Sequence, residues 1–108
     1  MHRLLVLYPL PTDPQAFSEY YEAHHLPLAA RLPGLRAYRW GFDVTALGSD
    51  SPYFCAFEAD FGDAAALEAA FASPEGEATA ADVPNYATGG ALLLHYDIGE
   101  GAPATPDR

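Results

Sequence analysis

The stretch FSEYYEAHHLPLAARLPGLRAYRW, residues 17–40, predicts a helix that leads into a strand. Its apolar and aromatic residues fall on one side of a helical wheel and its acidic residues on the other, so the apolar side has to pack against a sheet. The residues on that side are Phe17, Tyr21, His24, Leu28 and Leu32. Asp13 before Pro14 predicts the start of this helix, because Asp caps free amides and Pro suits the first helical position.

Pro27 lies inside the helical pattern. A proline there removes an amide donor and clashes with the preceding turn, at a cost of roughly 3 kcal/mol. We therefore expect the helix to break near His25 and Leu26. An unbroken helix would put His24 at the centre of the buried side and His25 at its margin, whereas a break would turn His25 inward. The sequence leaves both arrangements open.

The remaining pattern predicts a βαββαβ order, which is a ferredoxin-like plait of the α+β class. Strands are expected at residues 2–8, 35–45, 53–61 and 91–98, and the second helical region at residues 64–84. Strands two and three are expected to pair as a hairpin, and Gly41 is a possible bulge. The first and last strands are expected in the centre, because they carry the most continuous apolar runs. Residues 1–98 form the single predicted domain, and residues 99–108 a disordered tail.

The charge of the chain restricts its partners. Fifteen Asp and Glu against five Lys and Arg give a net charge of -10, which repels nucleic acid and anionic membranes. The apolar run at residues 4–10 is too short to span a membrane and lacks a cleavage pattern. Cys55 is the one cysteine, so no internal disulfide can form. A cytoplasmic location is expected.

The patterning also predicts association of two copies. Helices are expected on one face of an antiparallel sheet, and the first strand is apolar on both sides. The opposite face therefore needs a second layer, most simply the same face of an identical subunit. We expect a homodimer in which the two sheets form a dimeric α/β barrel.

Two segments resemble the EthD family. Residues 17–40 pair aromatic residues with a His-x-Pro step and a Leu-Pro-Gly-Leu helix exit, and ASPEGEATAADVPNYATGG, residues 72–90, is similar to the second-helix region of that family. The resemblance implies a small dimeric α/β barrel with a pocket between helices and sheet. Its fold relatives include cyclases, isomerases, dehydratases and cofactor-free monooxygenases. By position, Tyr21 and His25 match the recurring Tyr and His of the motif, and the resemblance gives neither a role.

Histidine and tyrosine on the buried side of the first helix are the candidate catalytic groups. A histidine in an apolar pocket can exchange a proton with a substrate, and a tyrosine can donate a hydrogen bond to a carbonyl or oxyanion. We assign acid/base chemistry to His25 and orientation of the substrate to Tyr21. The candidate substrate-binding residues are His24, Phe17, Tyr20, Tyr38, Trp40, Tyr86 and His95.

Structural roles compete with each of these assignments. A histidine could instead pair with a carbonyl that Pro27 leaves free, and the helical tyrosines could simply be core. His2 and His95 are expected near the ends of adjacent strands. Glu58 lies on an otherwise apolar strand and must be paired, exposed or functional.

No sequence signature of a cofactor is present. His-x-x-x-His spacing, a phosphate loop and a dinucleotide glycine motif are all absent from the sequence, so we predict no metal and no cofactor. The leading hypothesis is a cofactor-independent isomerase, cyclase or lyase that moves a proton on a small hydrophobic or aromatic compound. A non-catalytic dimeric accessory or ligand-binding protein is the alternative, and a cofactor-free oxygenase a third possibility.

Overall fold

The computed structural model describes residues 1–104 and confirms the predicted α+β, ferredoxin-like fold. In chain order the elements are β1 (His2–Pro9), α1 (Pro14–Tyr20), α2 (Leu26–Ala29), β2 (Ala37–Phe42), β3 (Tyr53–Phe61), α3 (Ala64–Ala72), α4 (Pro74–Asp82) and β4 (Leu92–Asp97). A π-helical turn (Tyr21–His25) joins α1 to α2, and a 3₁₀ turn (Val83–Asn85) follows α4. Within the described residues, no helix is long and apolar enough to cross a bilayer.

The predicted disordered tail is described only in part. Residues 99–104 are exposed and have no regular secondary structure. Residues 105–108, on which the same prediction falls, lie outside the described residues. The domain boundary at residue 98 stays a prediction.

The helices begin where the sequence predicts, because local side chains cap their free amides. Asp13 accepts a hydrogen bond from the Ala16 amide at 3.0 Å, and Asp63 accepts one from the Ala66 amide at 2.8 Å. Ser73 caps α4 in the same way. These caps fix where both helical regions start above the sheet.

The sheet has the order β2-β3-β1-β4, and all three strand pairs are antiparallel. The predicted β2–β3 hairpin is confirmed, but the prediction of a central last strand is wrong, since β4 is an edge strand whose residues are all exposed. Its apolar run marks a surface that one copy of the chain leaves uncovered. The predicted bulge at Gly41 is also wrong. The register is regular there and shifts between Tyr8 and Pro9 instead.

Strand β1 separates the two faces of the sheet. His2, Leu4, Val6 and Tyr8 are buried under the helices, whereas the alternate residues are only partly buried on the open face. The hydrophobic core therefore lies between the helices and one face of the sheet. This leaves the other face without cover from residues 1–104.

The open face has a charged half and an apolar half. In the charged half Arg3 Nε donates to Asp60 Oδ1 at 2.8 Å, and Arg39 donates to the other carboxylate oxygen at 3.3 Å. The hydrogen bond from Arg3 is the main reason that the pKa of Asp60 lies below its ordinary value. Glu58 is paired with both arginines at 3.5 Å. The apolar half consists of exposed β4 side chains, Leu92, Leu94 and Tyr96.

Candidate active site between the helices and the sheet

The π-helical turn decides which histidine is buried. The Leu26 amide donates to the Tyr21 carbonyl, five residues back, instead of four. The helical path then continues, because the Ala30 amide donates to the Leu26 carbonyl at 2.9 Å. The predicted break near His25 and Leu26 is therefore wrong. Pro27 has no amide to give, so widening the turn before it sacrifices few hydrogen bonds.

The extra residue in this turn brings His25 inward. His25 is 4% exposed, whereas His24 is on the exposed side, where its ring lies 4.8 Å from that of Tyr20. Neither imidazole hydrogen-bonds a backbone carbonyl in residues 1–104, so the proposed pairing with a carbonyl freed by Pro27 is not what the structure shows. The rotation that a break would have produced comes from the π turn instead.

Asp82, the last residue of α4, holds His25 in place. Its carboxylate is buried and accepts three hydrogen bonds: from Tyr20 at 2.5 Å, from Asn85 at 3.0 Å and from His25 Nδ1 at 2.9 Å. Burial raises the pKa of Asp82, but these three donors outweigh it and the pKa lies below its ordinary value. Asp82 is therefore ionised near neutral pH.

The ionised carboxylate fixes the tautomer of His25. A carboxylate can only accept, so Nδ1 carries the proton. Burial lowers the pKa of His25 and outweighs the opposing effect of Asp82, so the imidazole is neutral near pH 7. Nε2 therefore keeps its lone pair, and no group within residues 1–104 hydrogen-bonds it. This is a base held in one orientation by a buried acid.

His25 lines a small apolar hollow. The hollow has a volume of about 60 Å³ and lies between the helices and the sheet, with Leu4, Val6, Tyr8 and Phe57 in its walls. Pockets for drug-sized ligands usually hold roughly 300–1,000 Å³. A ring-sized ligand therefore requires these walls to move apart.

Tyr86 lies between His25 and a second, larger hollow. Its ring lies 4.6 Å from the His25 ring, and its hydroxyl is 2.8 Å from that of Tyr8. It also lines an outer hollow of about 220 Å³, together with Phe17 and Tyr20. Tyr20 stacks on Tyr86 at 5.7 Å while its hydroxyl holds Asp82. The two tyrosines thus line the outer hollow, and Tyr86 also packs against His25.

Tyr21 stacks on His25, with ring centroids 5.2 Å apart. It is fully buried, and burial is the main cause that raises its pKa far above the ordinary value, so the hydroxyl keeps its proton. Among the described residues this hydroxyl is the only buried side-chain N or O atom without a hydrogen-bond partner. Leaving such a donor unpaired costs about 1–3 kcal/mol. Tyr21 lines neither hollow, so a ligand oxygen meets this hydroxyl only after the walls have moved apart.

The structure brings only part of the predicted set together. Phe17, Tyr20, Tyr21, His25 and Tyr86 form one aromatic cluster. Of this cluster only His25 lines the small hollow, whereas Phe17, Tyr20 and Tyr86 line the outer one. The remaining predicted residues lie outside the cluster, and every assignment to substrate binding stays a prediction: His24, Tyr38, Trp40 and His95. Tyr38 and Trp40 stack on each other at 6.2 Å on edge strand β2, 37% and 41% exposed, and His95 hydrogen-bonds His2 at 2.7 Å.

Sequence reasoning missed Asp82, Asn85 and Tyr8. Asp82 and Asn85 are three residues apart in the run AADVPNY, at the end of a helix, where a lone acid is normally solvated. The available signal was an Asp that ends an alanine-rich helix and is followed by a Pro-Asn-Tyr step. Tyr8 was expected in the buried first strand, but no local pattern indicates that its hydroxyl hydrogen-bonds the hydroxyl of Tyr86, 78 residues further along the chain.

The comparisons with known proteins agree with this fold. The chain is 36% identical over 97 residues to an uncharacterised 11.0 kDa protein from the thcB-thcC intergenic region of Rhodococcus erythropolis, covering 90% of this chain and 94% of that protein. An EthD family protein from Bacillus halodurans has a TM-score of 0.85 and 30% identity, over 92% of this chain and 99% of the other.

A more distant likeness concerns the fold alone. Hydroxynitrile lyase from Passiflora edulis superposes with a TM-score of 0.73 at 23% identity, over 94% of this chain and 96% of that one. The sequence model of the EthD domain matches residues 10–90, which include the π turn, Asp82 and Tyr86. The chain therefore belongs to the EthD family, as the resemblance of its two motif segments indicated.

Proposed function

We propose that the protein is a cofactor-independent isomerase, cyclase or lyase that moves a proton on a small apolar carbonyl compound. The observation that carries this proposal is the Asp82–His25 pair. Asp82 fixes Nδ1–H of His25, which leaves Nε2 as a neutral base beside an apolar hollow. His25 would act as acid and base, and Tyr21 would orient the substrate.

The proposed step begins at a carbon next to the carbonyl group. Nε2 of His25 removes a proton from this carbon, and the C–H electron pair forms a C=C bond while the carbonyl oxygen becomes an enolate. Asp82 stabilises the imidazolium that results. The unpaired hydroxyl of Tyr21 donates to the enolate oxygen. Return of the proton to another carbon gives an isomer, and expulsion of a leaving group gives a lyase product.

The surroundings favour an aromatic or otherwise hydrophobic substrate. Four aromatic rings and the imidazole of His25 form one cluster, and Tyr20 and Tyr86 line the outer hollow next to it. Aromatic rings give a large apolar contact area for a flat ligand. A ferredoxin-like neighbour is a hydroxynitrile lyase, so the fold supports lyase chemistry in another protein, while the chemistry of this chain rests on its own residues.

Hydrogen–deuterium exchange tests the proton transfer without knowledge of the true substrate. Benzoylacetone and related aromatic ketones would be incubated with the protein in D₂O, and exchange at the carbon next to the carbonyl followed by NMR. General acid–base catalysis typically contributes 10²–10⁴-fold, so we expect an acceleration of about 100-fold or more that His25→Gln removes. His24→Gln is the matched control, since it changes the neighbouring but exposed imidazole. Equal exchange rates in the two variants would refute the role of His25.

We also propose that the functional unit is a homodimer joined through the open face of the sheet, forming the dimeric α/β barrel. Leu92, Leu94 and Tyr96 are between 41% and 46% exposed on that face, a contiguous apolar surface that a soluble monomer rarely leaves bare. Leu94→Glu should convert the dimer to a monomer in native mass spectrometry. Leu47→Glu, at a fully exposed turn position, should leave it dimeric. A wild-type monomer would contradict this proposal.

A further inference from the structure

A second group of ionisable side chains lies at the other end of β1. His2 Nδ1 is 2.6 Å from Asp97 Oδ1, and His2 Nε2 is 2.7 Å from His95 Nδ1. The pairing of β1 with β4 produces this chain of contacts, because His2 lies opposite Asp97 and Leu4 opposite His95. His2 is 5% exposed, whereas the carboxylate of Asp97 is open to solvent. Both ring nitrogens of a buried histidine are thus engaged.

The hydrogen bonds determine where the protons lie. The hydrogen bond from His2 is the main cause that lowers the pKa of Asp97, so this carboxylate is ionised and accepts from His2 Nδ1. In a neutral His2 the other nitrogen, Nε2, is then an acceptor. His95 Nδ1 must donate to it, which leaves the lone pair on His95 Nε2. The chain Asp97–His2–His95 therefore presents a base at its outer end.

That outer end opens onto an apolar hollow. The hollow has a volume of about 160 Å³, and its walls are Leu4, Leu67, Phe71 and Leu93, with His95 and Glu68 as the polar groups. It is larger than the hollow beside His25 and lies between α3 and the edge strand. A flat ring of modest size can enter it with little movement of the walls.

We propose that this hollow is a second binding site, which takes a neutral phenol or enol and binds its hydroxyl group at His95. His95 is exposed, so water can satisfy the lone pair on Nε2 in the free protein, and a hydroxyl on an apolar ring replaces that water while adding apolar contact area. A carboxylate ligand is disfavoured, because Glu68 lines the hollow and the chain carries a net charge of -10.

The chain of histidines can also accept the ligand's proton. When the hydroxyl O–H bond breaks, its proton moves to His95 Nε2, and the proton on His95 Nδ1 moves to His2 Nε2. The phenolate stays bound, and the positive charge resides on His2 beside Asp97 instead of on His95. The charged groups that face this chain are Asp97 on β4, Glu68 on α3 and the amino group of Met1. No side chain needs to rotate.

The second site has its own polar groups. The two hollows are neighbours that share Leu4, Phe71 and Leu93 in their walls, but His25 lines only the first and His95 only the second. His95 is connected to His2 and Asp97, whereas His25 is held by Asp82. Binding of a hydroxyl group at His95 therefore does not require the chemistry proposed for His25.

Binding of 4-nitrophenol tests the site, because its absorption reports both binding and ionisation. We expect the protein to bind 4-nitrophenol and to favour the phenolate at a lower pH than in buffer. His95→Gln should weaken this affinity about tenfold. The affinity for 4-nitroanisole, a methyl ether without a hydroxyl proton, should change less than about twofold. Equal affinity of the wild type and His95→Gln for 4-nitrophenol, or loss of binding in His25→Gln instead, would overturn the proposal.

The nitrogen spectra of the imidazoles test the proton positions independently of any ligand. In ¹⁵N-labelled wild-type protein above the pH at which the histidines titrate, His2 and His95 should both carry their proton on Nδ1. In Asp97→Asn the new side-chain oxygen can still accept from His2, so the tautomers should persist. A wild-type His95 that carries its proton on Nε2 would overturn the assignment of His95 as an acceptor for the ligand hydroxyl.

Discussion

Replacing Asp82 with Asn is expected to lower the free energy of unfolding by about 2–4 kcal/mol. The carboxylate accepts hydrogen bonds from Tyr20, Asn85 and His25. Hydrogen bonds to a charged group contribute about 1.5–3 kcal/mol each, against about 0.5–1.5 kcal/mol for neutral pairs. An Asn side chain has one acceptor oxygen and an NH₂ donor in place of the second oxygen. All three hydrogen bonds therefore lose their charged acceptor, and one of the three donors also loses its acceptor atom.

The loss of one acceptor atom also changes the chemistry of His25. If the side-chain oxygen in Asp82→Asn keeps the two donors that share Oδ1 in the wild type, the new amide group faces Nδ1 of His25. Nδ1 must then accept, so the proton moves to Nε2 and the base is lost from the hollow. Proton exchange on the ketone substrates should therefore fall in Asp82→Asn as far as in His25→Gln.

Urea unfolding at pH 7 measures the stability change. Asp63→Asn is the matched control, because Asp63 caps α3 through the Ala66 amide and Asn caps a helix equally well. We expect this control to stay within about 0.5 kcal/mol of the wild type. A loss below about 1 kcal/mol in Asp82→Asn would refute the assignment of three charge-assisted hydrogen bonds.

Three further changes probe the site and its supports. Burial lowers the pKa of His25 below 6.5, so as the pH falls the unfolded chain is protonated at His25 before the folded protein is. The neutral, buried form of His25 therefore contributes its full share to the free energy of unfolding above pH 6.5, and this share is lost as the pH falls toward the pKa of His25 in the folded protein. His25→Gln should flatten this part of the stability profile, measured by urea unfolding between pH 5 and 8. Tyr21→Phe removes an unpaired hydroxyl, so the thermal midpoint should stay the same or rise, with a gain of up to about 1 kcal/mol in the free energy of unfolding. A lower midpoint would show that the hydroxyl has a hydrogen-bond partner. Gly76→Ala puts a methyl group 2.7 Å from the Phe71 Cα and should lower the free energy of unfolding by about 1–3 kcal/mol, as measured by thermal unfolding. Gly41→Ala is the control, because its methyl group meets nothing within 4 Å. Equal effects of the two changes would refute the close packing of α4 against α3 at Gly76.

The sequence predicts the elements of this fold well because their signals are local. Asp13 and Asp63 mark helix starts through hydrogen bonds three residues long, and alternation along β1 assigns its two faces. The position of β4 was wrong for a physical reason. An apolar run reports that a surface has to be covered, but not whether the same chain or another molecule covers it.

The candidate site was only partly predictable. Periodicity put both His24 and His25 near the buried face, and the choice depended on the hydrogen-bond spacing of one turn, which no periodic pattern encodes. Asp82 was missed because its partner His25 is 57 residues away along the chain. The unpaired hydroxyl of Tyr21 could not be predicted either, since an unsatisfied donor is recognised only when all of its neighbours are known.

The π turn and one surplus residue offset each other in placing His25. Each residue of an α-helix advances the chain by about 100° around the axis, so the inward direction of His25 depends on the π turn Tyr21–His25 taking up one surplus residue. Deleting Ala23, an exposed alanine, would remove the surplus residue without removing any side chain of the site. The shorter turn would close with ordinary bonds to the carbonyl four residues back, and His25, next to Leu26, would stay on the inward side. Relatives in which this turn is one residue shorter would therefore present the same base from an ordinary α-helix.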